Sequence, residues 1–360
     1  MKKLSIVLAA LMLVAMVLTA CAPKAPVATE APKAEVKPTE APKKLKVCLV
    51  TDSGGLGDKS FNDASWLGVQ NGEKEFGVEG KVLQSKTGDD FQPNLNACKD
   101  EGADLIICVG FMMTDACKAA AVANPTIKYA GIDMGGFDLP NFRGVTALME
   151  QSTFLAGYLS AGMTTTGKVG WYVGIMGPPV QIFGDGFYYG VQEYNKVKGT
   201  KVEVLGYNAL EPGKATQTGS WIDAAAGKAV STSLMDEGAD IILPVCGGVG
   251  AATAALMQER KLGYIWGVDQ DWTQTYPQYI DQIIGSVTKR IDIHVLDAVK
   301  RLATNTWEGG DFVLTLQNEG TQLTYNAKVV VPDALKAEVA ALATKIISGE
   351  IKIPAPVAIQ

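Results

Sequence analysis

The stretch Glu101-Gly102-Ala103-Asp104-Leu105-Ile106-Ile107 recurs 136 residues later as Glu237-Gly238-Ala239-Asp240-Ile241-Ile242-Leu243. The same offset carries Gly131-Ile132-Asp133 onto Gly267-Val268-Asp269. A second offset, of 122 residues, maps Val47, Phe61 and Gly68-Val69-Gln70 onto Val169, Phe183 and Gly190-Val191-Gln192. These matches imply two copies of one α/β unit, each delivering an Asp at the end of a strand. Two such lobes facing each other enclose a cleft, and a cleft with an acid on each wall suits a small polar ligand.

Apolar runs and amphipathic stretches alternate through both copies. In the first, 45–51, 81–85, 105–109, 128–132 and 145–148 read as strands; in the second, 169–173, 201–205, 241–245 and 264–268 do. Their near-continuous apolar character predicts parallel strands covered on both faces. The helix that carries Phe183, Phe187, Val191 and Tyr194 on one face reads as core. A further strand over 283–289 and a helix carrying Ile291, Val295, Val299 and Leu302 place Lys289 near a hinge. The fold class is thus α/β, each lobe a parallel sheet flanked by helices. Residues 45–148 with about 290–310 make the first lobe and 149–289 the second. Residues 311–360, with Leu335, Val339, Leu342 and Ile346 on one helical stripe, complete both.

The front of the chain has another purpose. Lys2 and Lys3 precede an apolar run over 4–20, the pattern of a signal peptide. That run ends in Leu18-Thr19-Ala20-Cys21, which resembles the bacterial lipobox and implies lipidation of Cys21 and a lipid anchor in the membrane. Five prolines among Ala, Thr, Lys and Glu over 22–44 make a stiff spacer. The net charge of −6, or −8 once Lys2 and Lys3 are removed, argues against nucleic acid as a partner. Cys48, Cys98, Cys108, Cys117 and Cys246 are odd in number, leaving at least one free thiol. Cys48 and Cys108 lie in apolar strand patterns and read as buried, inert thiols. With one histidine and no CxxC, no metal site of ordinary spacing is expected, nor any cofactor.

Sheets of this kind bind ligands beyond the C-terminal ends of their strands, which selects 51–62, 110–115, Asp133, 176–183, 247–250 and 269–271. In the loop Asp52-Ser53-Gly54-Gly55-Leu56-Gly57-Asp58-Lys59-Ser60-Phe61-Asn62, Ser60 or Asn62 is placed to cap the following helix. Asp58 between Gly57 and Lys59 breaks a phosphate-binding loop, because its carboxylate repels phosphate. Phe61 is either a staple onto the helix below or a ligand-facing ring.

The run Asp58-Lys59-Ser60-Phe61-Asn62, with Trp66 and Gly68 behind it, resembles the basic membrane protein family of bacterial lipoproteins, purine-nucleoside receptors of ABC importers. Further pieces keep the family's order: Gly131-Ile132-Asp133, Phe154-Leu155-Ala156-Gly157, Gly219-Ser220-Trp221-Ile222-Asp223, Gly267-Val268-Asp269-Gln270-Asp271 and Ser286-Val287-Thr288-Lys289-Arg290. The resemblance implies a type I periplasmic-binding-protein fold, a purine nucleoside (guanosine, adenosine or inosine) as ligand and an ABC permease as partner, with the protein a monomer. It implies a base held between Phe61 and Trp221, with Trp221 standing where the family usually has Phe. Asn62 and Asp133 would read the base edge, and Asp58 and Ser60 belong to the same binding motif. Asp269, favoured over Asp271, would take the ribose with Lys289, and the Gly247-Gly248 backbone would approach the ligand.

Other functions within such a cleft are a receptor for a sugar or other small solute, a sensor with the same fold, and a lipid-anchored nucleoside hydrolase. The hydrolase needs an acid or base, and His294 reads as a packed helix residue. No enzyme activity is expected.

Overall fold

A computed structural model describes residues 44–359; the expected signal peptide, Cys21 and spacer lie outside them. The first sheet is built from β1 (Lys46–Val50), β2 (Glu79–Leu83), β3 (Leu105–Val109), β4 (Lys128–Ile132), β5 (Phe142–Ala147) and β11 (Gly310–Leu314). Its order is β11-β5-β4-β3-β1-β2, all parallel. The second holds β6 (Lys168–Val173), β7 (Glu203–Leu205), β8 (Ile241–Val245), β9 (Tyr264–Asp269), β10 (Ile283–Lys289) and β12 (Thr321–Tyr325). Its order, β12-β10-β9-β8-β6-β7, repeats the first, with β12 antiparallel to β10. In each sheet the strand order reverses beside the first strand, opening a crevice at the strands' C-terminal ends.

Helices cover both faces of each sheet. In the first lobe, α1 (Phe61–Phe76) and α9 (Ile291–Ala303) pack together on one face, with α2 (Phe91–Asp100) and α3 (Thr114–Ala123) on the other. In the second, α4 (Met149–Met163), α5 (Pro178–Lys198) and α10 (Asp333–Ile347) face α6 (Ala224–Asp236), α7 (Ala251–Arg260) and the short α8 (Trp272–Thr275) across the sheet. The chain passes between the lobes after β5, after β10 and between β11 and β12. One apolar core runs through this hinge, joining Val69 and Val295 of one lobe to Phe187 and Leu335 of the other.

The repeat's glycines have a packing cause. A methyl on Gly190 in α5 would overlap the Phe154 carbonyl of α4, and one on Gly157 would overlap the Phe187 carbonyl. Gly68, the repeat partner of Gly190, admits Val295 of α9 to α1 in the same way. Each lobe therefore seats its hinge-side helix through bare backbone.

The reading of Cys48 and Cys108 as inert thiols is corrected. Cys48 is bonded to Cys98 and Cys108 to Cys117, leaving buried Cys246 as the free cysteine among the described residues. All four bonded residues share the face of the first sheet under α2 and α3, so the side chains were already juxtaposed. His294 is buried against Phe312, and burial pushes its pKa down to about 4, so it is neutral. Among the described residues no helix is long and apolar enough to cross a membrane.

Candidate functional site

The loop between β1 and α1 is organised by its acids. Neither Ser60 nor Asn62 caps α1 through its side chain. Asp58 does so: its carboxylate accepts the N–H groups of Ser60 (2.9 Å), Asn62 (2.8 Å) and Asp63 (3.1 Å). These bonds satisfy the orphan donors of the first turn. Asn62 then holds Asp52: its Oδ1 accepts from the Asp52 N–H at 3.2 Å, and its Nδ2 donates to Asp52 at 2.7 Å and Asp58 at 3.0 Å. With its amide so committed, Asn62 presents Asp52 to the cleft. Burial pushes the Asp52 carboxyl up to about 6, against the bonds from Asn62 and the Gly54 N–H.

Asp133 follows β4 and Asp269 ends β9, with φ of 60° and 65° respectively. This left-handed conformation is sparsely used by non-glycine residues and tolerated best by Asp and Asn. Here it turns the two repeat-related carboxylates toward each other's lobe. Lys289, buried at the end of β10, donates to Asp133 across the hinge. Burial pushes Asp269 up to about 6, opposed by Lys289 and by the hydroxyl of Ser60, which reaches from the other lobe to donate at 2.6 Å. Asp271 caps α8 by accepting from the Thr273 N–H and hydroxyl and stays out of the cavity.

Between the lobes lies a cleft with about 570 Å³ of space between the protein atoms, part of it open to solvent. Phe61, Trp221, Phe111 and Phe183 supply aromatic surface to it. The Lys289 ammonium stands 5.2 Å from the Phe61 ring centre and 5.8 Å from that of Phe183, within reach of cation–π attraction to both. The Trp221 indole lies on Gly174, where any side chain would overlap it, and its Nε1–H has no protein acceptor. Gly247, at φ 56°, adds backbone at the start of a short 3₁₀ turn.

Of the expected site residues, Asp58, Phe61, Asn62, Asp133, Trp221, Gly247, Asp269 and Lys289 line this one cavity. Ser60 and Gly248 do not. Ser60 is an interlobe contact, and Gly248 packs on the Asp58 carbonyl of the facing lobe, 3.0 Å from where its Cβ would be. Beside them, the Gln270 side chain donates to the Ser60 carbonyl (2.9 Å) and the Tyr276 hydroxyl to that of Asp58 (3.3 Å). Asp52, Phe111 and Phe183 also line the cavity; they fall within the strand-end segments 51–62, 110–115 and 176–183, though no motif marks them individually. Phe183 was assigned to the core because it sits on the buried stripe of α5, and it is indeed only 2% exposed. The repeat held the missing signal, since it pairs Phe183 with Phe61.

The Bmp family, described as ABC transporter substrate-binding protein PnrA-like, matches residues 45–356. Basic membrane protein A1 of Borrelia garinii subsp. bavariensis is 33% identical over 319 residues, 86% of this chain and 88% of that protein. ABC transporter nucleoside-binding protein BmpA of Lactococcus lactis subsp. cremoris is 30% identical over 331 residues, 86% and 89% of the two chains. Among solved structures, an ABC transporter system solute-binding protein from Aeropyrum pernix K1 superposes with a TM-score of 0.76 at 26% identity, covering 86% of this chain and 94% of that one.

Proposed function

This chain belongs to the Bmp family of PnrA-like ABC transporter substrate-binding proteins, and on that premise we propose that it captures purine nucleosides between its lobes and delivers them to an ABC permease. The observation that carries the reading is the composition of one cavity: flat aromatic walls at Phe61 and Trp221, with the acids Asp52, Asp133 and Asp269 and the cation Lys289 around them. A flat π-system bearing N–H groups and a ribose bearing hydroxyls present the surfaces that such walls complement. Stacking of a base on an aromatic ring contributes roughly 1–3 kcal/mol.

In this reading the base lies between Phe61 and Trp221. Asp52, held by Asn62, and Asp133 accept from its N–H edge, while Asp58 fixes the loop by capping α1. Asp269 accepts from the ribose hydroxyls, Lys289 donates to ribose oxygen while paired with Asp133, and the Gly247 backbone closes the far side. Ser60 and Gly248 act between the lobes, so closing the cleft and completing the site are one event. Binding and release, with no bond made or broken, suffice for this role. The protein would be held to the membrane, facing outward, through lipid on Cys21, and would work as a monomer. Supporting the ligand class is the name of the Lactococcus lactis relative, a nucleoside-binding protein.

Calorimetric titration tests the reading directly. The protein, unfolded and refolded to strip carried-over ligand, is titrated with guanosine, adenosine, inosine, cytidine and ribose. Tight binding of purine nucleosides with ribose silent supports it; ribose binding, or silence toward every nucleoside, overturns it.

A further inference from the structure

Phe111 lies in the strand-end loop 110–115 but in none of the family motifs, and it crosses the cleft. It lies just beyond β3 in the first lobe, lines the cavity and is half-buried. Its ring packs against Gly177 of the second lobe, the N-cap residue just before α5; a methyl on Gly177 would overlap the ring at Cε2. The loop in the second lobe that corresponds by the 136-residue offset carries Gly247 at this place. Only one of the two equivalent loops therefore brings a side chain across.

The segment carrying Phe111 is tied at both ends. Cys108 is in β3, three residues before Phe111, and Cys117 is in the first turns of α3, six residues after it. Their disulfide spans the loop, whose interior is set by buried Met113, the Thr114 hydroxyl donating to the Phe111 carbonyl (2.6 Å), and the Met113 N–H donating to the Gly110 carbonyl (3.1 Å). The other disulfide, Cys48–Cys98, joins β1 to α2 and borders a shallow depression with Lys46 and Glu79, at the starting ends of the strands, opposite the cleft.

We propose that Phe111 is the gate of the binding cavity, closing it by seating its ring on Gly177, and that the Cys108–Cys117 disulfide is the positioning element that holds the gate in register. The first of these rests on the nucleoside reading only for the choice of ligand. A ring tethered at one end alone samples positions short of the opposite lobe; a ring on a loop fixed at both ends meets Gly177 each time the lobes close. The gate thus acts on ligand escape. The fold itself has a second staple elsewhere in the same lobe.

The test compares Phe111→Ala, Gly177→Ala, the pair Cys108→Ser/Cys117→Ser, and the control pair Cys48→Ser/Cys98→Ser. Inosine affinity and dissociation rate are read by titration and stopped-flow fluorescence, and fold integrity by thermal melting. Phe111→Ala and the Cys108/Cys117 pair are each expected to speed dissociation about tenfold, and combining them to add little, as for groups acting through one contact. The control pair is expected to lower the melting temperature and leave the dissociation rate unchanged. Full additivity of the two gate variants, or equal effects of both cysteine pairs on dissociation, overturns the positioning role. An unchanged rate in Phe111→Ala overturns the gate.

A second readout needs no nucleoside. The N–H groups of Val180 and Gln181 bond to the Gly177 carbonyl, so their hydrogen exchange reports the seat of the ring. Faster exchange there in Phe111→Ala, in the protein without added ligand, supports the gate even if inosine fails to bind. Unchanged exchange overturns it.

Discussion

The two lobes are copies in scaffold and unlike in what they carry to the cleft. Phe61 and Asp133 of the first have counterparts in Phe183 and Asp269 of the second, and all four line the cavity. Elsewhere the pairing breaks. Asp52 corresponds by offset to Gly174, and Phe111 to Gly247. Where the first lobe places an acid and a ring, the second has bare backbone, and at Gly174 that vacancy admits the Trp221 indole. The staples differ too. Cys48 and Cys98 match Gly170 and Leu234, which lie in contact, and Cys117 matches Thr253, which shares hydroxyl bonds with Tyr172 and Ser231. Duplication supplied the geometry, and divergence at a few loop positions made one wall acidic and the other accommodating.

The strongest challenge to this comparison is at the residue that joins the lobes. Lys289 comes from the second sheet and pairs with Asp133 after the first, both buried. Lys289→Ala leaves Asp133 buried without its cation, a change that costs roughly 3–5 kcal/mol of stability. Urea unfolding reads this. A loss below about 1 kcal/mol would mean that Asp133 recovers solvent and that the hinge does not bury the pair.

Next come the two aromatic walls. If base stacking is shared between lobes, Phe61→Ala and Trp221→Ala should each weaken nucleoside binding by about 1–3 kcal/mol. Because a closed cleft needs both walls, the double variant should lose less than the sum. An intact affinity in Trp221→Ala would transfer the second wall to Phe183, the repeat partner of Phe61.

The helix seats test whether the scaffolds are equal as well as similar. Gly190→Ala sets a methyl against the backbone of α4, whereas Gly68→Ala sets one against the Val295 side chain of α9 as well as the Asp292 carbonyl. Each is expected to lose about 1–3 kcal/mol by overpacking, the former more because backbone yields less than a side chain. Thermal melts in which Gly68→Ala is the worse of the two would reverse that ranking.

Acidity acts on both walls with the same sign. Asp52 and Asp269 titrate near 6 when folded, above their unfolded value of 3.8, because burial disfavours the charge. Their contribution to folding is complete below the unfolded value and is lost as pH rises through about 6, so the unliganded protein should melt higher at pH 5 than at pH 7. A ligand that donates to these carboxylates needs them ionised, so its affinity should fall as pH is lowered from 7 to 5, by on the order of tenfold. Asp52→Asn removes the first lobe's share of this dependence and Asp269→Asn the second's. Affinity that rises on acidification would show that the carboxyl groups bind as donors.

Much of the fold was legible because it is written twice. The recurring Glu-Gly-Ala-Asp turn before β3 and β8 and the Gly-x-Asp at the ends of β4 and β9 give the two-lobed repeat and the cleft together. The site was legible where a motif marked it, as at Phe61, Asp133 and Asp269. Phe183 was hidden because a helical stripe that borders a cavity has the same period as one that fills a core. Asp52 was hidden because its role depends on Asn62, ten residues away, whose amide looked free to meet a ligand. The disulfides were hidden because strands apolar on both faces do not reveal which cysteines share a face.

The smallest expected effect concerns the second lobe's substitute for a staple. Thr253 joins the Tyr172 hydroxyl (2.8 Å) to that of Ser231 (2.5 Å), at the place where Cys117 is bonded in the first lobe. Thr253→Val keeps the shape and removes the link, leaving a buried Tyr172 hydroxyl without its partner, and should cost about 1 kcal/mol. Affinity should change little, because the loop ahead of it lines the cavity with Cys246 and Gly247 and has no ring to aim. A loss of affinity as large as that of the Cys108/Cys117 pair would show that both loops need positioning, and that the asymmetry between the lobes ends at their side chains.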